Sequence, residues 1–98
     1  MQAVIADDSV LVREGIARIL AEGGIDDVVG MGNASSLIDA VETLSPDLAI
    51  VDVRMPPTYI DEGLRAAIEL RRHWPDVALL VLSQFVEERY ASELRGAN

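Results

Sequence analysis

Three aspartates in this 98-residue chain are spaced so that they could share one metal ion. Asp7 and Asp8 follow the apolar run "AVIA", and Asp52 follows the apolar run "LAIV". If these runs are neighbouring parallel strands, they lie about 4.8 Å apart and their carboxyl ends meet at one edge of the sheet. Two carboxylates at 4 Å repel by roughly 4 kcal/mol at an effective dielectric of 20. A hard divalent cation that takes oxygen ligands would relieve this repulsion, which points to Mg²⁺.

A carboxylate beside bound Mg²⁺ is also a competent nucleophile toward a phosphoryl group, which makes Asp52 a candidate acceptor. The alternative is that the aspartates only cap helices or line loops. That alternative accounts equally well for the pair Asp7 and Asp8 taken alone. An acid at the matching end of a second strand favours the shared site.

The elements that must position these acids are short apolar runs alternating with longer amphipathic segments. Val12, Ile16, Ile19 and Leu20 form the apolar stripe of the first helix, with Ser9 as its N-cap. In the third helix, Leu64, Ala67 and Ile68 form the stripe. Strands that alternate with helices predict βαβ units with right-handed crossovers. The expected fold class is therefore α/β, with a doubly wound parallel sheet.

Composition narrows the class of protein further. Half of the residues are hydrophobic, cysteine is absent and the net charge is −9. We expect a single domain with a modest hydrophobic core, without disulfides or a thiolate zinc site. The negative charge disfavours nucleic-acid binding by this chain. No apolar run approaches the ~18 residues of a membrane span, so no membrane contact and a cytoplasmic location are expected.

Three stretches, "VIADDSVLVREGIARIL", "PDLAIVDVRMPP" and "WPDVALLVLS", closely resemble a response-regulator receiver domain of the LuxR/NarL type. The resemblance implies a flavodoxin-like fold and a regulatory phosphoacceptor rather than an enzyme. Asp52 would accept a phosphoryl group from a sensor histidine kinase. Asp7, Asp8 and Asp52 would hold Mg²⁺ together with the backbone carbonyl of Arg54. Ser83 would be the switch hydroxyl that turns toward the phosphoryl group.

The chain also departs from that family's pattern. Receivers of this type continue into a fifth strand, which begins near a lysine, and a fifth helix, whereas these 98 residues contain no lysine. The expectation is a C-terminally incomplete receiver over residues 1–98, with strand order 2-1-3-4 and no fifth strand. A DNA-binding output domain that regulates transcription would lie outside this chain. Phosphotransfer would be impaired because no catalytic lysine is present.

The run "VALLVL" at residues 77–82 is apolar at every position. As an exposed edge strand it would be an association hazard. The sequence therefore predicts a homo-oligomer built on the edge of the fourth strand.

Two enzyme functions are weaker alternatives. "GMGNAS" at residues 30–35 imitates a dinucleotide-binding fingerprint, but it follows the second strand and ends in Ser35. Its glycines are expected to serve a tight turn instead. "VDVRM" lacks the second acid of an aspartyl-phosphate phosphohydrolase motif, so a phosphohydrolase is less well supported than a phosphoacceptor.

Overall fold

The structure, a computed structural model, describes residues 1–82, so the predicted switch residue Ser83 lies outside the described residues. Within them, the elements in chain order are β1 (Gln2–Ala6), α1 (Val10–Glu22), β2 (Asp27–Met31), α2 (Ala34–Leu44), β3 (Leu48–Asp52), α3 (Glu62–His73) and β4 (Ala78–Leu82). In this part of the chain, no helix has the length and apolar character needed to cross a membrane.

The four strands form one parallel sheet in the order β2-β1-β3-β4. This order confirms the predicted doubly wound α/β fold. Ala6 at the end of β1 lies opposite Val51, the residue before Asp52 in β3. The carboxyl ends of β1 and β3 are therefore level with each other, which is what a site shared by their aspartates requires.

Helices α2 and α3 cover one face of the sheet and pack against each other. The core beneath them consists mainly of small and β-branched residues from the strands and of leucines and alanines from the helices: Val4, Ala6, Ala49, Val51, Leu37, Val41, Met55, Ala66, Leu70 and Val77. Val and Ile in short continuous runs suit strands that are covered on both faces.

The three residues of the apolar stripe predicted for α3 do share one face of the helix, but only one of them is buried. Ala67 is buried, but Leu64 and Ile68 are about half exposed, at 44% and 52%. These two side chains line a groove of about 520 Å³ with Leu79 and Val81 of β4. The fully buried residues of α3 lie beside this stripe, where Gly63 packs against the backbone of Asp52 and where Ala66 and Leu70 are buried in the core.

Helix α1 lies on the opposite face of the sheet, where it contacts mainly β2. No residue of α1 is fully buried, and Ile19 of the predicted stripe is 68% exposed. Only one helix of the described residues covers this face, so the stripe lacks a second helix to pack against. The predicted N-cap is confirmed, because the Ser9 hydroxyl accepts a hydrogen bond from the Val12 N–H at 3.3 Å.

Candidate functional site

The structure brings Asp7, Asp8 and Asp52 together at the carboxyl edge of the sheet. One carboxylate oxygen from each lies within 4.8 Å of the others, and among residues 1–82 this is the group of acids able to hold a metal ion. Asp7 is buried, Asp52 is half-buried and Asp8 is exposed. Asp7 is therefore enclosed by the protein, whereas the side of the cluster formed by Asp8 is open to a ligand.

Asp7 is fixed through both its backbone and its side chain. Its N–H donates to the Met31 carbonyl at 3.0 Å, which continues the β1–β2 ladder one residue past the strand. Its carboxylate accepts a hydrogen bond from the Ser9 N–H at 2.9 Å. Ser9 thus both caps α1 and orients the buried acid.

Asp52 is the last residue of β3, and the chain beyond it remains attached to the sheet. The Val53 N–H donates to the Leu82 carbonyl at 2.9 Å, which extends the β3–β4 ladder. The Arg54 N–H donates to the Asp52 carboxylate at 3.3 Å. The strand end and this short turn together orient the Asp52 side chain toward the aspartates that follow β1.

The three carboxylates fit a small divalent cation. Oxygen ligands about 2.1 Å from Mg²⁺ lie at most about 4.2 Å apart across an octahedron, so oxygens within 4.8 Å need only a small adjustment. The donor set is made of hard oxygens, as Mg²⁺ prefers. The additional ligand expected from the Arg54 backbone carbonyl stays a prediction.

Arg13 is a site residue that the sequence analysis missed. Its guanidinium Nη1 donates to the backbone carbonyl of Asp7 at 2.6 Å, which places a positive charge at the backbone that carries Asp7 and Asp8. The side chain lies across Gly30 of β2, where an added Cβ would stand 3.1 Å from Arg13 Cδ. The expected role of Gly30 in a tight turn is wrong, because Gly30 lies within a strand and makes room for Arg13. The sequence feature that could have indicated this role is the position of Arg13, four residues after the N-cap Ser9.

Gly63 is a second missed residue, and it contacts the backbone of the candidate acceptor. A Cβ on Gly63 would overlap the carbonyl oxygen of Asp52 and stand 2.6 Å from its carbonyl carbon. The Gly63 N–H also donates to the Val53 carbonyl at 2.9 Å. Glycine costs about 1 kcal/mol in a helix relative to alanine, so its presence in "EGLRAA" was a sign of a close backbone approach.

In the connection between β3 and α3, residues 53–61, one carboxylate holds the second half. Glu62 accepts hydrogen bonds from the Thr58 N–H at 2.7 Å, the Thr58 hydroxyl at 2.5 Å, the Ile60 N–H at 3.2 Å and the Asp61 N–H at 3.3 Å. We call these four bonds the Glu62 clasp. The bond from the Thr58 hydroxyl makes the largest contribution to lowering the pKa of Glu62 to about 2; the backbone N–H groups of Thr58 and Ile60 lower it further, against a smaller opposing effect of desolvation.

Residues 3–98 match the family model of the response regulator receiver domain. The chain belongs to that family. DegU of Brevibacillus brevis, a transcriptional regulatory protein, is 37% identical over 95 residues, which cover 96% of this chain and 39% of DegU. The oxygen regulatory protein NreC of Staphylococcus epidermidis is 33% identical over 93 residues, which cover 92% of this chain and 41% of NreC. These relatives confirm the predicted LuxR/NarL type.

A solved structure gives the same assignment for the fold of the receiver. RcsB from Salmonella enterica serovar Typhimurium, solved bound to the promoter rprA in the presence of the phosphomimetic BeF₃⁻, is 30% identical with a TM-score of 0.71. The match covers 85% of this receiver and 47% of the RcsB chain. This chain spans about two fifths of the curated relatives described above. The roles of Asp52 as acceptor and of Ser83 as switch stay predictions.

Proposed function

We propose that this receiver accepts a phosphoryl group on Asp52 in a reaction that depends on Mg²⁺. An Asp52 carboxylate oxygen forms a bond to the donor's phosphorus while the bond from phosphorus to the leaving group breaks. When the donor is a phosphohistidine, the imidazole nitrogen takes the electron pair of the broken bond. The observation that carries this proposal is the meeting of three carboxylates from two strand ends within 4.8 Å.

Each residue of the site has a distinct part in the proposed reaction. Asp7 and Asp8, with the Arg54 carbonyl, would hold the Mg²⁺, which neutralises charge on the phosphoryl oxygens when bound. The Ser9 N–H keeps the Asp7 carboxylate in place, and the Arg54 N–H orients that of Asp52. Ser83 would be the hydroxyl that responds to the phosphoryl group.

The proposed phosphodonor is a sensor histidine kinase, and the proposed response is a switch in a DNA-binding output domain that regulates transcription. Support comes from DegU, which is named a transcriptional regulatory protein, and from RcsB, which was solved on promoter DNA. We assign DNA contact to the output domain because the −9 charge of this chain opposes a phosphate backbone. We place the reaction in the cytoplasm.

Labelling with acetyl phosphate and Mg²⁺, followed by intact-mass measurement, tests the acceptor. We expect a single phosphoryl adduct on the wild type and none on Asp52→Asn. Asp39→Asn, which removes an exposed acid from α2, should keep the adduct. Labelling should be slow, because an electrostatic contribution of the kind a lysine supplies is often worth ~10²-fold and this sequence has no lysine. An adduct that persists on Asp52→Asn would contradict the assignment.

We also propose that the 98-residue chain associates through β4. Among the described residues β4 is an edge strand, and Leu80 is 50% exposed on it. Sedimentation velocity at micromolar concentration should show a dimer or larger species. Leu80→Glu should shift it toward monomer, whereas Leu11→Glu, at an 80% exposed position of α1, should leave it unchanged. A wild-type monomer at these concentrations would refute the proposal.

A further inference from the structure

The connection from β3 to α3 is a loop tied at both ends to the candidate acceptor. At its start, the Arg54 N–H donates to the Asp52 carboxylate at 3.3 Å. At its end, the Gly63 N–H donates to the Val53 carbonyl at 2.9 Å. Gly63 also touches the Asp52 carbonyl so closely that no side chain fits between them. A shift of the first turn of α3 is therefore passed directly to the backbone of Asp52.

The middle of the loop is held by polar bonds more than by apolar packing. Met55 is buried, but Tyr59 and Ile60 are 49% and 69% exposed. Tyr59 has a φ of 60°, in the left-handed region that side chains disfavour by roughly 1–2 kcal/mol. Its N–H donates to the Met55 carbonyl at 3.0 Å. A conformation of this kind persists only when surrounding contacts determine it, and such residues concentrate at functional sites.

The Glu62 clasp fixes Thr58 and Ile60, the residues on either side of Tyr59. Three backbone N–H groups and one hydroxyl of the loop all donate to the carboxylate of Glu62, which is the first residue of α3. Hydrogen bonds to an ionised acceptor are roughly twice as strong as neutral ones. The clasp therefore joins the middle of the loop to Glu62, whose neighbour Gly63 rests on the Asp52 backbone.

The geometry points to Glu62 and Thr58 as positioning residues for the phosphorylation of Asp52, acting through the loop and through Gly63. This inference rests on the proposed function, because it concerns the same acceptor. Neither residue touches the reacting carboxylate. Their effect is to keep the strand end in the arrangement that the transfer needs, and displacements of about 1 Å can cost as much as 10²-fold in rate.

The test measures the rate constant and the final amount of Asp52 labelling by acetyl phosphate at saturating Mg²⁺ on the full 98-residue chain. Glu62→Ala removes all four bonds, and Thr58→Val removes only the hydroxyl bond. We expect the rate constant to fall about tenfold for Glu62→Ala and about threefold for Thr58→Val. Thr58→Ser keeps a hydroxyl and should restore the wild-type rate. Glu69→Gln, which removes the same charge from an exposed position of α3, is the matched control and should label as the wild type does.

A merely structural role would give a different result. Because folding equilibrates faster than this slow labelling, partial unfolding lowers the observed rate constant only in proportion to the folded fraction, so dividing by that fraction restores the wild-type value. Thermal melts of each variant fix that fraction at the assay temperature, and Thr58→Val serves if Glu62→Ala does not fold. Wild-type rate constants for Thr58→Val and for every folded Glu62 variant would overturn the positioning role alone. Failure of the wild type to be labelled on Asp52 would overturn the proposed function, and the positioning role with it.

Discussion

Two connections meet at the acidic cluster, and they are built in different ways. The first, residues 7–9, joins β1 to α1 directly, and the second, residues 53–61, makes a long excursion between β3 and α3. In the first, the sheet ladder and the helix cap hold Asp7 on both sides. In the second, Met55 is buried in the core, the carboxylate of Glu62 holds the more exposed residues after it, and Gly63 lies against the backbone of Asp52.

This difference indicates which of the two connections tolerates single substitutions and which does not. The first connection shares its contacts with secondary structure that would form in any case. In the second, Met55 anchors the first half in the core, but the residues after it rely on the bonds to Glu62, and Gly63 alone permits the close approach to Asp52. Single substitutions should therefore have larger consequences in the second connection, unless they reach the shared metal ligands.

Gly63→Ala should give the largest loss of stability. Its methyl group would overlap the Asp52 carbonyl oxygen, and only movement of the backbone could relieve the overlap. Overpacking of this kind costs typically 1–3 kcal/mol and occasionally more, and we expect about 3 kcal/mol. Urea unfolding measures it.

Gly15→Ala is the matched control for the first connection's helix. An added Cβ at Gly15 in α1 meets nothing within 4 Å, so the gain in helix propensity should stabilise the protein by about 0.5–1 kcal/mol. Equal effects of the two substitutions would show that Gly63 has no special contact with the acceptor.

Mg²⁺ should stabilise the folded protein, because it would bind acids from the ends of both β1 and β3. A ligand at 100 times its dissociation constant stabilises the folded state by about 2.7 kcal/mol, so melting temperatures should rise with added Mg²⁺. Asp52→Asn should stabilise the metal-free protein by lessening repulsion and should weaken the response to Mg²⁺. Asp39→Asn should respond as the wild type does. Identical wild-type melts with and without saturating Mg²⁺ would exclude the site.

Arg13→Met tests the first connection alone. The substitution keeps an unbranched apolar stem and removes the hydrogen bond to the Asp7 carbonyl, which should cost about 1–2 kcal/mol without metal. Losing a positive charge at the backbone that carries Asp7 and Asp8 should also strengthen Mg²⁺ binding, so calorimetry should show a lower dissociation constant. Arg18→Met removes an exposed arginine of the same helix and should change neither quantity. Weaker Mg²⁺ binding by Arg13→Met would contradict this account.

The same comparison explains how much of the site the sequence could predict. Asp7, Asp8 and Asp52 were predictable because strand ends follow from apolar runs, and parallel strands bring their ends together. Ser9 was predictable because capping depends on the next few residues alone. The Glu62 clasp was not, because four bonds to one side chain leave no periodic trace in the sequence. The buried face of α3 was predicted only in part for a related reason, since the contact of Gly63 with the Asp52 backbone leaves no trace in the pattern of large apolar side chains.

The smallest effect should be a pH dependence confined to the second connection. The clasp lowers the pKa of Glu62 from its ordinary value of 4.5 to about 2, so the unfolded chain binds a proton at this residue more readily than the folded one. The contribution of Glu62 to stability is therefore complete above pH 4.5 and is lost as the pH falls toward 2. Urea unfolding of the wild type and of Glu62→Gln should differ by a constant amount at neutral pH and by progressively less below pH 4.5. Glu69→Gln controls for the loss of one negative charge on α3 and should not reproduce this convergence. A difference between wild type and Glu62→Gln that stays constant down to pH 2 would show that the clasp does not depend on the charge of Glu62.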